Sequence, residues 1–394
     1  MDRRGFLKCA AALGAGAFAW GCQAARPSGV ARASRPWPPT TPPSPSAGQA
    51  QAAQTDGHFV RQAQHYTRLG GRRVRCEICP KKCEVGDRER GFCGARENHA
   101  GAYHTLVYGR ACSVNIDPVE KKPFFHFLPG SLALSFAAAG CNLACKNCQN
   151  WEISQVRPEQ VEAAWMPPER LAAEARARRI PIVAGTYSEP VTFFEYMDAT
   201  AVEGRKQGVR TVMISAGFIN PEPMKQLCAH LDAIKIDLKS MRNAFYRDNC
   251  AGELQPVLDA IEVAHRHARW LEVVYLVIPT LNDKVAEVRD CARWMKRHVG
   301  PDVPLHFTRF QPMYRLKNLP PTPTETLVRC RNAALAEGLH YVYTGNVPGD
   351  PGENTYCHHC GKMLIERRGY EVRRNEITGG KCRFCATPIP GVWS

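Results

Sequence analysis

Short apolar runs alternate with amphipathic stretches from about residue 131 to the C-terminal region. Seven runs have the composition of strands: 132–136, 180–185, 211–215, 233–237, 271–278, 305–310 and 340–343. Six stretches between them have helical periodicity: 168–178, 191–207, 221–229, 253–268, 284–298 and 323–337. Val/Ile/Leu-rich strands that alternate with helices indicate a parallel sheet covered by helices. About six units are too few for a closed eight-fold barrel, so we predict an α/β fold with a partial (β/α)6 TIM-like barrel.

Three cysteines directly follow the first predicted strand. Cys141, Cys145 and Cys148 form a C-x3-C-x2-C motif. Three closely spaced thiolates can hold three irons of a [4Fe–4S] cluster. No fourth cysteine follows closely in the sequence, which leaves one iron open for a ligand, as in catalytic rather than structural metal centres. Because chemistry in βα folds lies at the carboxyl ends of strands, we expect this loop at that rim.

Polar residues at the ends of other predicted strands are expected at the same rim. Glu189 follows the second strand, Ser215 ends the third, and Asp237 and Lys239 lie at the end of the fourth. Each has a simpler explanation when taken singly; Asp237, for example, can cap a helix. Their convergence on one edge is harder to explain by packing alone, and it indicates a binding site.

Two four-cysteine groups flank the predicted sheet. The N-terminal group consists of Cys76, Cys79, Cys83 and Cys93. The C-terminal group consists of Cys357, Cys360, Cys382 and Cys385. The C-terminal C-x2-C…C-x2-C pattern favours one tetrahedral ion, most simply zinc, with a rubredoxin-like iron site as the alternative. It would staple a tail too small to fold well alone, with His358 and His359 as bystanders. For the N-terminal group, zinc and an auxiliary iron–sulfur cluster are both open.

Composition excludes some classes of protein. Eleven of the eighteen cysteines fall in these three groups, and a disulfide scaffold would be shorter and lack the βα pattern. The formal net charge of +15 suits RNA, an acidic protein or anionic lipid, but a solvated basic face explains it equally well. No arginine-rich or aromatic-interleaved RNA motif favours a nucleic-acid partner. We expect most of the remaining cysteines to be small buried hydrophobes: Cys9, Cys22, Cys112, Cys228, Cys250, Cys291 and Cys330.

Residues 1–23 have the order of an export signal. Arg3 and Arg4 form a twin-arginine pattern, and an apolar Ala/Gly-rich stretch too short for a transmembrane span follows. Either residues 17–19 offer a cleavage site, or Cys22 offers a lipoprotein-type anchor. This predicts a periplasmic or membrane-anchored protein that meets a membrane only through the signal or a lipid; a vestigial signal would leave it cytoplasmic. Residues 24–56, rich in Pro, Ala and Ser, are expected to be a disordered linker.

Several motifs together carry a family resemblance over most of the chain after residue 70. They are the three-cysteine loop with Gln149-Asn150-Trp151, Cys76-Glu77-Ile78-Cys79-Pro80 with Cys83, Gly91-Phe92-Cys93, Asp117-Pro118-Val119-Glu120-Lys121-Lys122-Pro123, His126-Phe127-Leu128-Pro129-Gly130, Tyr187-Ser188-Glu189-Pro190 and Gly345-Asn346-Val347-Pro348-Gly349. With them the chain resembles the radical S-adenosylmethionine (radical SAM) superfamily. Within it, the chain is similar to pyruvate formate-lyase activating enzyme, and most of all to the AmmeMemoRadiSam system radical SAM enzyme.

The resemblance implies an enzyme with a [4Fe–4S] cluster held by the three-cysteine loop, whose open iron binds SAM. Reductive cleavage of SAM would give a 5′-deoxyadenosyl radical that abstracts hydrogen from an unknown substrate, in activating enzymes a protein glycine. Flavodoxin or ferredoxin is the implied electron donor, and a protein substrate is a further possible partner. Asn147 is a departure, since the superfamily commonly has an aromatic residue there, near the adenine.

The resemblance also gives roles to the rim residues. Glu189 would contact the SAM amino group, a carboxylate–ammonium pairing. Ser215, Asp237 and Lys239 match positions that approach the ribose or carboxylate of SAM. Related enzymes usually carry auxiliary clusters after the SAM loop, so no electron-transfer role follows for the N-terminal cysteines.

These motifs divide the chain into five predicted regions: a signal at 1–23, a linker at 24–56, a Cys-cluster region at 57–125, a radical SAM core at 126–350 and a metal-binding, zinc-ribbon-like tail at 351–394. Two alternative functions remain at this point. One is a metal-stapled binding or electron-carrier protein without catalysis. The other is an RNA-modifying radical SAM enzyme, which rests on charge alone.

Overall fold

The computed structural model describes residues 57–394. The predicted signal and linker, together with Cys9 and Cys22, lie outside the described residues. Within residues 57–394, no helix combines the length and the apolar character needed to cross a membrane.

Seven short strands precede the main sheet: β1 (Arg61–Gln62), β2 (Tyr66–Arg68), β3 (Val74–Cys76), β4 (Glu84–Val85), β5 (Arg96–His99), β6 (Ala102–Thr105) and β7 (Arg110–Ala111). The first six form two three-stranded sheets, in the orders β1-β6-β5 and β2-β3-β4. We call residues 57–111 the N-terminal segment.

The next nine strands are β8 (Ser113–Pro118), β9 (Leu132–Ala137), β10 (Ala164–Trp165), β11 (Ile182–Gly185), β12 (Arg210–Ser215), β13 (Ala233–Asp237), β14 (Leu271–Val277), β15 (Leu305–Arg309) and β16 (Val342–Gly345). Strand β10 pairs with β7, and the other eight form one sheet in the order β16-β15-β14-β13-β12-β11-β9-β8. Strands β9 and β11 to β16 pair in parallel, and β8 joins the edge antiparallel to β9.

The α-helices are α1 (Trp151–Ser154), α2 (Pro168–Ala177), α3 (Phe194–Lys206), α4 (Pro221–His230), α5 (Asn243–Phe245), α6 (Gln255–His267), α7 (Val285–His298) and α8 (Thr324–Ala336). A π-helical turn, Tyr246–Cys250, continues α5. In α6 the buried residues Val257, Ile261 and Ala264 recur every three or four positions, which aligns them on one face of the helix.

The two faces of the main sheet are covered differently. Met213 belongs to the layer that contains the helices. Its neighbours Val212 and Ile214 belong to a second apolar layer, where Phe124 and Phe127 take the place of a helix. Successive residues of a strand face opposite sides, so one face is covered by helices and the other by irregular chain.

A buried carboxylate anchors that irregular chain. Glu272 accepts hydrogen bonds from the backbone N–H groups of Phe125 (3.0 Å) and His126 (2.9 Å). The ring N–H groups of Trp270 (2.9 Å) and His306 (2.7 Å) also donate to it. Burial acts to raise the pKa of Glu272, but these donors hold it below its usual value. A buried charge is tolerated when it is hydrogen-bonded in this way.

The C-terminal tail packs against the last strand of the sheet. Its strands are β17 (Thr355–Tyr356), β18 (Met363–Arg368), β19 (Glu371–Asn375), β20 (Ile377–Thr378) and β21 (Lys381–Cys382). Leu364 and Ile365 share an apolar cluster with Tyr341 and Tyr343 beside and within β16. The buried Arg367 guanidinium donates to the carbonyl of Phe125 at 2.7 Å, which ties the tail to the irregular chain.

All seven predicted strands and all six predicted helical stretches are present, so the predicted mixed α/β fold is confirmed. The antiparallel strand β8 was not predicted. The boundaries between the five regions stay a prediction.

A buried ion pair joins the N-terminal segment to α3. Arg96 Nη1 and Nη2 donate to the two carboxylate oxygens of Glu195 at 3.0 and 2.5 Å. The two side chains are only 2% and 5% exposed. The backbone N–H of Gln64 also donates to Glu195, at 2.7 Å.

We expect Glu195→Gln to lower the free energy of unfolding by about 3–5 kcal/mol, because it leaves the Arg96 charge buried without its partner. Urea denaturation measures this change. Glu159→Gln is the control: it breaks an ion pair with Arg90 in which Glu159 is 45% exposed, and it should cost less than about 1 kcal/mol. Equal losses in the two variants would contradict this interpretation.

Candidate active site

The three-cysteine loop lies at the carboxyl end of β9, as predicted. The backbone N–H of Ala144 donates to the carbonyl of Cys250, and that of Lys146 donates to the carbonyl of Asn249, at 2.9 and 2.8 Å. The N–H of Gly140 donates to Ile153 at 2.9 Å. The loop is therefore held on both sides by ordered backbone.

The three thiols differ in exposure but share one cavity. Cys145 is buried, while Cys141 and Cys148 are partly exposed, and all three line the same cavity. Burial raises the pKa of Cys141 and Cys148. A thiol that resists ionisation in an empty site becomes a thiolate when a metal replaces its proton. Their chemistry fits a metal cluster.

Cys250 adds a fourth thiol beside the loop. It belongs to the π-helical turn, is fully buried, and lies close to Cys145. Their interaction raises the pKa of Cys145 and lowers that of Cys250, so the two sulfurs titrate as a pair. The expectation of a small buried side chain is confirmed for Cys250, which in addition lies beside the three-cysteine loop.

The cavity has a volume of about 410 Å³. Ligand pockets usually measure roughly 300–1,000 Å³. Its walls include every residue predicted at the rim: Cys141, Cys145, Cys148, Glu189, Ser215, Asp237 and Lys239. Neither four-cysteine group lines it.

Glu189 is buried with one acceptor position left. Its carboxylate accepts from Ser215 Oγ (2.6 Å) and from the N–H groups of Ala216 (2.8 Å) and Val191 (3.1 Å). Burial raises its pKa in spite of these bonds. A carboxylate offers about four acceptor positions, so three donors leave room for one donor from a ligand.

Two lysines and an aspartate lie at the end of β13. Lys235 Nζ donates to Asp237, whose other carboxylate oxygen lies 4.0 Å from Lys239 Nζ. Burial lowers the pKa of Lys235, against the pull of Asp237. Lys235 also lines the cavity and was not predicted as a site residue. The sequence feature that could have identified Lys235 as a site residue is a lysine within an otherwise apolar, buried strand.

Asn147, the departure in the loop, has a local partner. It is buried, and its side-chain oxygen accepts from Asn249 Nδ2 at 2.8 Å. The amide pair connects the loop to the π-helical turn. Asn147 therefore secures the loop as well as lining the cavity.

Another part of the cavity wall carries a second charged group. Lys122 Nζ donates to Asp117 at 2.7 Å, and the Tyr187 hydroxyl donates to the same carboxylate. Burial lowers the pKa of Lys122 to about 8. Lys122 and Tyr187 belong to motifs that support the family resemblance, but the sequence analysis gave these two residues no role. Both residues line the cavity. Tyr370 of the C-terminal tail completes this wall.

The C-terminal cysteines form a compact set. Their four sulfurs all lie within 4.8 Å of one another, and the contacts Cys357–Cys385 and Cys360–Cys382 measure 3.6 and 3.8 Å. Four sulfurs 2.3 Å from one tetrahedral zinc would be about 3.8 Å apart. The set fits a single ion, without distinguishing zinc from iron. His358 accepts or donates a hydrogen bond with the Tyr341 hydroxyl at 2.8 Å instead.

Residues 137–292 match the family model of the Radical SAM superfamily. An uncharacterized protein of Methanocaldococcus jannaschii is 42% identical over 332 residues, which cover 84% of this chain and 99% of that protein. The chain therefore contains a Radical SAM superfamily domain, and it belongs to one family with the M. jannaschii protein. Membership implies an enzyme that uses a [4Fe–4S] cluster and S-adenosylmethionine. Radical SAM enzymes typically take electrons from flavodoxin or ferredoxin.

Two solved structures are distant structural neighbours of this chain. A domain of pyruvate-formate lyase-activating enzyme from Bacteroides vulgatus is 16% identical, covers 42% of this chain and 98% of its own, and has a TM-score of 0.37. A radical SAM methyltransferase from Sphaerobacter thermophilus is 14% identical, covers 58% and 71%, and has a TM-score of 0.43.

We expect Cys250→Ala to keep the iron of the three-cysteine loop and to lower the midpoint potential of its cluster. With iron in place of the Cys145 proton, the Cys250 S–H is the donor of this pair, so its removal destabilises the more negative, reduced state of the cluster. An EPR-monitored redox titration measures the potential. Cys330→Ala, a buried cysteine in α8, is the control and should change nothing. If Cys250 were an iron ligand, its removal would instead cost iron.

Proposed function

We propose that this chain cleaves S-adenosylmethionine reductively, with Cys141, Cys145 and Cys148 as the iron ligands. When bound, the cluster and SAM together supply a 5′-deoxyadenosyl radical that abstracts a hydrogen atom from a substrate. The observation that carries the proposal is that three thiols and a hydrogen-bonded carboxylate share one cavity at the carboxyl ends of parallel strands.

Glu189 is proposed to bind the SAM ammonium group. Ser215 and two backbone N–H groups already orient its carboxylate, so the remaining acceptor position faces the cavity without rearrangement. A charge-assisted hydrogen bond in a buried site is stronger than a neutral one. Ser215 thus acts chiefly by positioning Glu189.

Asp237 and Lys239 are proposed to bind the other polar groups of SAM. Lys239, whose side chain is 18% exposed, offers a cation to the carboxylate, and Asp237 offers an acceptor to the ribose hydroxyls. Lys235 neutralises the charge of Asp237 through the hydrogen bond from its ammonium group. This pairing keeps a buried carboxylate charged and oriented.

The pair of Asp117 and Lys122 is proposed to face the substrate. Lys122 lines the cavity with Tyr187 and Tyr370, and Asp117 accepts hydrogen bonds from both Lys122 and Tyr187. The resemblance to activating enzymes extends the proposal to a protein backbone glycine as the source of the hydrogen atom.

Finer parts of the assignment belong to the same proposal. The eight-stranded sheet is proposed to be the partial (β/α)6 TIM-like barrel, and the chain to be of the AmmeMemoRadiSam type. The C-terminal cysteines are proposed to bind zinc, for which their sulfur spacing is suitable. Export through the twin-arginine signal is proposed on the sequence of residues 1–23.

Anaerobically reconstituted and reduced wild-type protein should convert SAM to 5′-deoxyadenosine and methionine, and Cys145→Ala should not, because it lacks one iron ligand. Chromatographic quantification of 5′-deoxyadenosine measures the difference. Cys291→Ala, a buried cysteine in α7, should retain the activity. Wild type and Cys145→Ala with the same output would refute the proposal and favour a non-catalytic carrier.

Glu189→Gln should weaken SAM binding roughly ten- to hundredfold, because a hydrogen bond to a charged group contributes about 1.5–3 kcal/mol. Anaerobic calorimetry on cluster-loaded protein measures the affinity. Glu222→Gln removes a carboxylate that is 75% exposed in α4 and should leave the affinity unchanged. Unchanged affinity in Glu189→Gln would show that the ammonium binds elsewhere.

A further inference from the structure

We propose that Cys76, Cys79, Cys83 and Cys93 hold a redox-active iron–sulfur cluster that passes electrons to the three-cysteine loop. The metal assignment stands on the geometry of the N-terminal segment alone. The electron-transfer role rests on the proposed function, since it requires a cluster on the loop.

The four thiols come from three turns that are tied together. The N–H of Cys76 donates to the carbonyl of Cys83 at 3.0 Å, which closes the turn between β3 and β4. A Cβ on Gly91 would lie 3.6 Å from Cys83 Sγ, so the turn that carries Cys93 packs directly on Cys83. All four cysteines are free thiols and are buried or partly exposed. The group is thus a preformed set of ligands.

Sulfur spacing distinguishes this group from the C-terminal one. Within residues 57–394, the C-terminal cysteines are the group whose ligand atoms converge within the reach of a single ion. The N-terminal sulfurs form no such set within the described residues. Around one zinc all four sulfurs meet the same ion, whereas in a cluster each cysteine binds its own iron or shares an iron pair, with sulfide between them. Because the described N-terminal sulfurs do not converge on one ion, a cluster is favoured.

The surroundings of the sulfurs suit a cluster that accepts an electron. The backbone N–H of Phe92 donates to Cys83 Sγ at 3.4 Å. An N–H···S bond of this kind stabilises the more negative, reduced state of an iron–sulfur cluster.

The N-terminal cysteine group packs against the start of the three-cysteine loop. Gly140, which precedes the first cysteine of the loop, is so close to Cys93 that a Cβ on it would lie 2.6 Å from the Cys93 carbonyl oxygen. Ligands of the two sites are therefore separated by a single residue of backbone.

The other side of the group faces solvent and is basic. Phe92, beside Cys93, is 50% exposed, and Lys81 Nζ lies 4.0 Å from its ring centre. Residues 61–96 contain ten Lys and Arg against four Asp and Glu. Such a surface attracts an acidic one-electron carrier protein of low potential.

The transfer balances with that carrier as the reductant. The carrier loses one electron and the N-terminal cluster gains it. The N-terminal cluster then returns to its oxidised state as the cluster of the loop is reduced by one electron. No bond of the protein forms or breaks, and no proton is transferred.

Metal analysis of anaerobically reconstituted wild type tests the first part. We expect about eight irons and eight sulfides per chain for two [4Fe–4S] clusters, or about six of each if the N-terminal cluster is [2Fe–2S]. About four irons and two zincs would overturn the proposal. In the triple variant Cys141→Ala, Cys145→Ala and Cys148→Ala, an EPR signal that SAM does not alter should remain.

The triple variant also separates this inference from the proposed function. If wild type makes no 5′-deoxyadenosine but the triple variant keeps its cluster, the proposed function fails and the metal assignment stands. If wild type makes 5′-deoxyadenosine but the triple variant binds no iron, only the present inference fails.

Reduction kinetics test the transfer. In wild type mixed with reduced ferredoxin, freeze-quench EPR should show the N-terminal cluster reduced before the SAM-responsive one. Cys83→Ser should abolish reduction of the loop cluster by ferredoxin. Dithionite, a small-molecule reductant, should still reduce the loop cluster of this variant. The matched control Cys330→Ser, a buried cysteine of α8 outside the three cysteine groups, should behave as wild type. Simultaneous reduction of both clusters, or wild-type rates in Cys83→Ser, would overturn the transfer.

Discussion

The close approach of two chain segments at Gly140 sets the geometry around the three-cysteine loop. Gly140 has a φ of +105°, and a Cβ there would lie 2.6 Å from the Cys93 carbonyl oxygen. Only glycine meets both conditions. The contact fixes where the loop begins, and hydrogen bonds to Asn249 and Cys250 fix its middle. Loop, N-terminal segment and π-helical turn are consequently one unit, and the cavity walls depend on all three.

Charge burial in the cavity follows a consistent rule. Asp117 is paired with Lys122, Asp237 with Lys235, and Glu189 is held by donors from β12 and its own turn. Buried charges are costly unless they are paired or hydrogen-bonded. A parallel strand with both faces covered is normally apolar. Lys235 departs from this pattern, and packing does not explain why a lysine is present. Such exceptions concentrate at functional sites, and here they surround one cavity.

Periodicity was sufficient to find the seven parallel strands and the six main helices, because each strand is buried on both faces and each helix on one. Strand β8 escaped prediction since its residues, Ser113–Pro118, are mostly polar or β-breaking, as an edge strand allows. The loop cysteines and Glu189 could be placed because each follows a strand. Cys250 could not, since it reaches Cys145 only through the π-helical turn, for which the sequence has no periodic signal.

The N-terminal and C-terminal four-cysteine groups have the same number of cysteines, but their positions in the fold indicate different roles. The C-terminal tail is short, and its apolar cluster includes cysteines Cys357 and Cys382 themselves, so a single ion there supplies core that the sequence lacks. The N-terminal segment has no such deficit: Val74 and Val85 are buried in the main core, and the Arg96–Glu195 pair joins it to α3. A metal is therefore not needed to attach this segment. The N-terminal cysteine group lies instead next to the three-cysteine loop. From this position a redox centre can pass electrons to the loop, whereas the segment has no need of a structural metal.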